Sequence, residues 1–445
     1  MKKLISLLLV LALGLGLTAC ASTASTTTAA QAASETTAAG STTAAASQEV
    51  VNLKIWVHTT DEGDEGKVYG ERVAAFNAAN DKIKAELEYI PRGGGGSGYE
   101  DKINTALTTG QLPDVITLDG PNTAAYADAG IISPIDEYIS AESKADYMPS
   151  IIQQGTYQGK LYGLGNMEST VPLFYNMDLL NKYNIKPGTI DAPWTWDDLY
   201  AAAKTITAGE KVPALNMCLD WTGEGKIYAL SPFVWSAGGN IIAEDGLTAE
   251  GVFNSPEAVE ALTFIKKLVD EKLTSATPEA NSFELGKAAF MFNGPWAVAG
   301  LEKDYKDLNY AAMPYPVNPK TKKLQVATGS WQFAATTNSK HPAEAAKLVE
   351  WMTNTDSVVA ISKAIGMIPG RVSAISQLPL YQEGARKLMV EQLQASGRAR
   401  PSSVIYPVIS RSFEESIDEV INGEDPKASL DSKVAVIERE AARFK

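Results

Sequence analysis

Four stretches of the 445-residue sequence hold residue types and spacings on which binding or catalysis can be built. Gly93-Gly94-Gly95-Gly96-Ser97-Gly98 satisfies G-x-G-x-x-G between a strand candidate and a helix candidate, the pattern that cradles a pyrophosphate. That fingerprint needs its glycines directly off the strand, and Pro91-Arg92 intervene. Nearly pure glycine meets the pattern by composition alone, so the segment reads as a loop. Asp61-Glu62-Gly63-Asp64-Glu65 has the acidity of a calcium loop but lacks the sixth-position glycine and the distal glutamate, which excludes an EF-hand. Asp197-Asp198 could be imagined as an acid–base pair. It follows Thr195 at a helix start, where first-turn acids complement the dipole and Asp198 occupies the acidic capping-box position. Neither G-x-S-x-G nor H-E-x-x-H occurs, and no S-x-x-K constellation stands out. A carboxylate-pair glycosidase needs only two well-placed acids and is the enzyme alternative. Two histidines, His58 and His341, and two cysteines, Cys20 and Cys218, are too few for the common metal sites or a disulfide framework. No metal and no cofactor is expected. The net charge of -14 argues against nucleic acid as a partner.

The fourth stretch is 282–298. Ala288 to Phe292 is an unbroken apolar run, as in a strand covered on both faces. Asn293-Gly294 makes a turn, and Pro295 suits the first position of a helix. Trp296 then stands where a buried strand feeds a helix, the edge at which open α/β sheets bind ligands. The run Gly286-Lys287-Ala288-Ala289-Phe290-Met291-Phe292-Asn293-Gly294-Pro295-Trp296 resembles the signature of the family 1 extracellular solute-binding proteins, the sugar-binding subunits of ABC importers related to maltose-binding protein. Leu112-Pro113-Asp114-Val115-Ile116, Gly159-Lys160-Leu161-Tyr162-Gly163-Leu164, Phe174-Tyr175-Asn176-Met177-Asp178-Leu179-Leu180, Pro342-Ala343-Glu344-Ala345-Ala346 and Gly366-Met367-Ile368-Pro369-Gly370-Arg371 resemble further family stretches. The matches are scattered over residues 50–445.

The resemblance implies an α/β, two-lobed periplasmic-binding-protein-like fold with discontinuous lobes and hinge strands. It also implies a ligand held between the lobes and delivered unaltered to an ABC transporter permease, by a monomer. The first lobe would take 50–168 and 325–370, the second 169–324 and 371–445. A sugar offers an apolar C–H face to flat rings and an equator of hydroxyls to hydrogen-bonding side chains. By resemblance, Trp296 is the first stacking candidate and Trp331 the second, with Trp221 and Trp235 near loop or strand ends. His58, Thr60, Asp61 and Glu62 after the first strand are candidate polar contacts, as are Asp119, Asn122, Glu168, Ser169, Arg371 and Tyr406. Trp194, Trp196 and Trp351 sit in or beside helices and read as core. A binder of a non-sugar solute such as glycerol phosphate or a polyamine is the remaining alternative.

The elements that position these residues follow from periodicity. Strands are expected at 51–57, 83–90, 113–119 and 330–336, and helices at 67–79, 101–107, 257–272, 342–352 and over 411–445. Their alternation predicts an α/β fold with a largely parallel sheet. Upstream, Lys2-Lys3, an apolar run over 4–17 and Leu17-Thr18-Ala19-Cys20 form a signal peptide over 1–20 too short to span a bilayer. Leu-Thr-Ala-Cys resembles a bacterial lipobox, which would make Cys20 the lipidated residue and place the protein, lipid-anchored, on the outer face of the cytoplasmic membrane. Residues 21–49, nearly all Ala, Ser and Thr, read as a disordered tether.

Overall fold

The structure, a computed structural model, describes residues 49–92 and 98–445. The leader, Cys20 and the tether up to residue 48 lie outside the described residues, as does the glycine-rich run 93–97. No helix among the described residues is long and apolar enough to cross a membrane.

Two mixed sheets organise the fold. In the first, Val51–Val57 lies between parallel partners Ile83–Tyr89 and Val115–Asp119, and Trp331–Ala335 runs antiparallel to Val115–Asp119 and to Gly163–Gly165. In the second, Leu173–Asn176 is antiparallel to Phe290–Phe292 and Tyr310–Met313, and Leu215–Asn216 adds a parallel edge. The expectation of a largely parallel sheet is therefore corrected to mixed sheets. Trp331–Ala335 arrives from more than two hundred residues downstream of its partner Val115–Asp119 and from the opposite direction, a long-range pairing that alternation cannot report.

Both sheets are covered on both faces, and successive side chains divide accordingly. Ile55 and Val57 enter one core while Trp56 enters another, and Phe333 and Ala335 part from Ala334 in the same way. In the second sheet Leu173, Tyr175, Phe290 and Phe292 join a third core, and Phe174 and Met291 point to the face shared with the first sheet's core. The chain passes between the sheets through short paired strands. Met167–Glu168 pairs with Ile368–Pro369, and Val326–Thr328 pairs with Gly397–Ala399.

The strand Val51–Val57 and the helix Pro342–Met352 fall where periodicity places them. Helix Trp196–Glu210 opens on a capping box, Thr195 accepting from the Asp198 amide at 3.2 Å while Asp198 accepts from the Thr195 amide at 2.8 Å. Trp194 and Trp196 are buried as expected. Cys218 is buried, its Sγ donating to the Phe292 carbonyl at 2.8 Å.

Candidate ligand-binding site

A cavity of about 660 Å³ opens where the strand ends of the first sheet meet the helix starts over the second. One wall is aromatic. Trp296 opens the helix Trp296–Asp304 and is 41% exposed, the most open tryptophan among the described residues. Its ring lies 6.0 Å from Trp221 and 5.9 Å from Tyr228, both tilted by less than 40° from it. Glycine makes this wall buildable. A Cβ on Gly294 would meet the Trp296 ring at 2.2 Å, and one on Gly225 would meet Trp221 at 3.1 Å. Pro295 stands one position before the helix rather than in it.

The helix Glu224–Ala237 delivers the next groups. Glu224 and Tyr228, four residues apart, share one face of the helix. The Tyr228 hydroxyl donates to Ser169 Oγ at 2.8 Å, which donates to the Gly329 carbonyl at 2.7 Å. Arg400, only 5% exposed, sits at the centre. It donates to both Asp119 oxygens at 2.8 and 3.0 Å and to Glu224 Oε2 at 2.9 Å, and Tyr406 donates to that same oxygen at 2.5 Å. Burial opposes the charge on Arg400, but Asp119, Tyr406 and Glu224 raise its affinity for the proton well above the ordinary range. Burial pushes the Glu224 carboxyl up, against the pull of Arg400.

The opposite wall comes from the carboxyl ends of the first sheet. His58 follows the first strand, and its ring stacks on Trp331 at 3.3 Å and 4°. His58 Nδ1 is 3.0 Å from Thr117 Oγ1, and its Nε2 lies 3.4 Å from Glu65. Arg92 lies over the Trp331 ring at 5.3 Å and 3.7 Å from Glu100. In this conformation His58 holds one face of Trp331, which is a packed edge of the cavity rather than an open platform.

The residues expected from sequence divide. His58, Asp119, Ser169, Trp221, Trp296 and Trp331 line the cavity. Thr60, Asp61 and Glu62 are exposed and outside the lining, because the helix Asp64–Ala79 starts early enough for Glu65 to turn inward instead. Asn122 is buried in the turn Gly120–Asn122. Trp235 is sealed in the core at 1% exposure, inside a helix buried on all sides, under the Arg398 guanidinium. Arg371 points elsewhere, binding Asp146 at 3.1 Å, the Tyr147 hydroxyl at 2.7 Å and the Thr353 carbonyl at 2.7 Å. Tyr406 stands behind the lining and orients Glu224.

Glu168 is also behind the lining, fully buried in a crossing strand. It accepts from the amides of Ser169 and Gly329 at 2.9 Å each and from Gln154 Nε2 at 3.0 Å. Burial raises its carboxyl to about 7 against these donors. Sequence reasoning missed Arg400, Glu224, Tyr228, Asp220 and Glu65. Glu224 sits in the polar, glycine-flanked stretch Asp220-Trp221-Thr222-Gly223-Glu224-Gly225-Lys226, where nothing local separates it from a solvated loop acid.

A cleft walled by rings and hydrogen-bonding side chains, set against strands that link two α/β lobes, defines a solute-binding protein of the two-lobed kind. The chain belongs to the bacterial extracellular solute-binding proteins, whose family profile matches residues 59–359. A putative binding protein of Brucella abortus is 26% identical over 320 residues, 68% of this chain and 72% of its own length. The diacetylchitobiose binding protein DasA of Streptomyces coelicolor is 25% identical over 340 residues, 73% of this chain and 75% of its own. Among solved structures, the cyclic alpha-maltosyl-1,6-maltose binding protein from Arthrobacter globiformis is 23% identical with a TM-score of 0.75, covering 88% of this chain and 100% of that one. That likeness carries the fold.

Proposed function

We propose that the protein captures an oligosaccharide in this cleft and hands it unaltered to the permease of an ABC importer. The observation that carries the reading is the half-exposed Trp296 indole, flanked by Trp221 and Tyr228 and facing the Asp119–Arg400–Glu224 cluster. Rings of this kind cover the C–H face of a pyranose while charged side chains take its hydroxyls. The names of relatives agree, since maltodextrin, maltotriose and diacetylchitobiose are the ligands they state.

Retention rather than hydrolysis fits how the acids are held. Asp119 and Glu224 share one guanidinium, and Glu65 faces His58, so among the described lining carboxylates Asp220 alone is without a bonded partner. On this reading the lobes take 50–168 with 325–370 and 169–324 with 371–445, and Cys20 is the lipid anchor of a monomer on the outer face of the cytoplasmic membrane. A thermal-shift screen over mono- and oligosaccharides tests the reading, because a ligand bound only by the native state raises the melting temperature. An oligosaccharide that shifts melting and is recovered intact supports it; turnover of that sugar, or no shift across the panel, rejects it.

A further inference from the structure

Resting on that reading, we propose that the cleft selects uncharged oligosaccharides and excludes those bearing uronate, sulfate or phosphate groups. Four carboxylates and two guanidiniums line it: Glu65, Asp119, Asp220, Glu224, Arg92 and Arg400. Arg400 is committed to protein carboxylates, and Arg92 already has an acid and a ring beside it. Arg400 spends Nη1 and Nη2 on Asp119 and Glu224, and its remaining Nε is buried without a partner among the described residues. An anion cannot reach that nitrogen, and both Nη1 hydrogens already go to Asp119 and Glu224, so only the second hydrogen of Nη2 lies outside the bonds to protein carboxylates. Arg92 lies over Trp331 with Glu100 3.7 Å away. Asp220 is exposed at the rim and has no hydrogen-bond or ion-pair partner among the described residues, so its charge acts on whatever enters.

An anionic ligand therefore loses its water and meets four carboxylates against two guanidiniums, one bonded to two of those carboxylates and the other 3.7 Å from Glu100, and burial of an uncompensated charge is costly. Hydroxyls face no such penalty. They can donate to Asp220, Glu224 and Asp119, whose lone pairs exceed the bonds they now accept.

The test is calorimetric titration with matched pairs of equal length: mannobiose with dimannuronate, galactobiose with digalacturonate, cellobiose with diglucuronate. The expected result is that any neutral member that binds does so at least tenfold more tightly than its acidic counterpart, about 1.4 kcal/mol, with the gap narrowing as salt is raised. An acidic member that binds as tightly as its neutral counterpart, or binds alone, overturns the selectivity while leaving sugar capture standing. If neither class binds, capture itself fails and the selectivity with it. Asp220→Asn, an exposed substitution that spares the ion pairs, is expected to narrow the neutral-to-acidic ratio severalfold with no change in melting temperature. An unchanged ratio in that variant removes the electrostatic ground for the proposal.

Discussion

Gly294 and Trp296 are two residues apart, and a methyl group at 294 would occupy space the indole now fills. Position 294 has no left-handed backbone to protect, and the atoms in the way are the far end of one side chain. Gly294→Ala should therefore fold normally but push the ring out of its position, weakening a bound oligosaccharide roughly tenfold. Trp296→Ala should cost about 2 kcal/mol, roughly thirtyfold in Kd, with the melting temperature of the free protein little changed. Titration of both variants decides it, and an unaltered Kd in Trp296→Ala would take the ring out of the site. Arg371 belongs to the opposite class. Its guanidinium joins Asp146, Tyr147 and Thr353, so Arg371→Ala should destabilise by about 3 kcal/mol and leave sugar affinity intact. Trp296 was legible because its neighbours in sequence build its setting. Arg371 and Arg400 were not, because an arginine in a loop reads the same whether its carboxylate lies in a cleft or in a wall, and Asp119 is 281 positions from Arg400.

Elements were legible where one face differs from the other. The helices Pro256–Asp270 and Pro342–Met352 bury a stripe and begin at proline, and both were expected within two residues. The helix Glu224–Ala237 is buried from Lys226 to Ala237 and holds Pro232, so it shows no amphipathic period. Its absence from the sequence reading is what misplaced Trp235. The crossing strands are two or three residues long, too short for periodicity to mark them, yet Glu168 gives them a measurable property. Its carboxyl joins the amides of two crossings, Ser169 and Gly329. Burial raises it from 4.5 to about 7. Between these values the folded protein binds more protons than the unfolded chain, so this group's contribution is full below pH 4.5 and is lost as pH rises through about 7. Glu168→Gln keeps an acceptor at Oε1 and removes the titration. The melting temperature of the native protein relative to this variant should fall between pH 4.5 and 7 and then level off; a constant difference would show that Glu168 does not titrate there.

At the scale of the molecule, the cleft gathers segments from both sheets. Asp119 ends a strand of the first sheet, Glu224 opens a helix in the core over the second, and Arg400 follows the strand Gly397–Ala399 that runs beside a crossing. One guanidinium nitrogen is bonded to both carboxylates, so a single side chain ties a strand end of the first sheet to a helix over the second, and on the lobe assignment proposed above it would bias the equilibrium between open and closed states. A ligand shifts such an equilibrium only through contacts that differ between open and closed states, and coupling of this kind is typically worth about 1–3 kcal/mol. Arg400→Met keeps the length and removes the cation, leaving Asp119 and Glu224 to repel each other. The free variant should then show a larger radius of gyration by small-angle scattering than the native protein. Saturating oligosaccharide should compact it more than it compacts the native protein, at an affinity about tenfold weaker because binding must now supply the closure. If the free variant and the native protein scatter identically, the Asp119–Arg400–Glu224 chain orders the cleft without holding the lobes together, and the compaction on binding must come from the ligand alone.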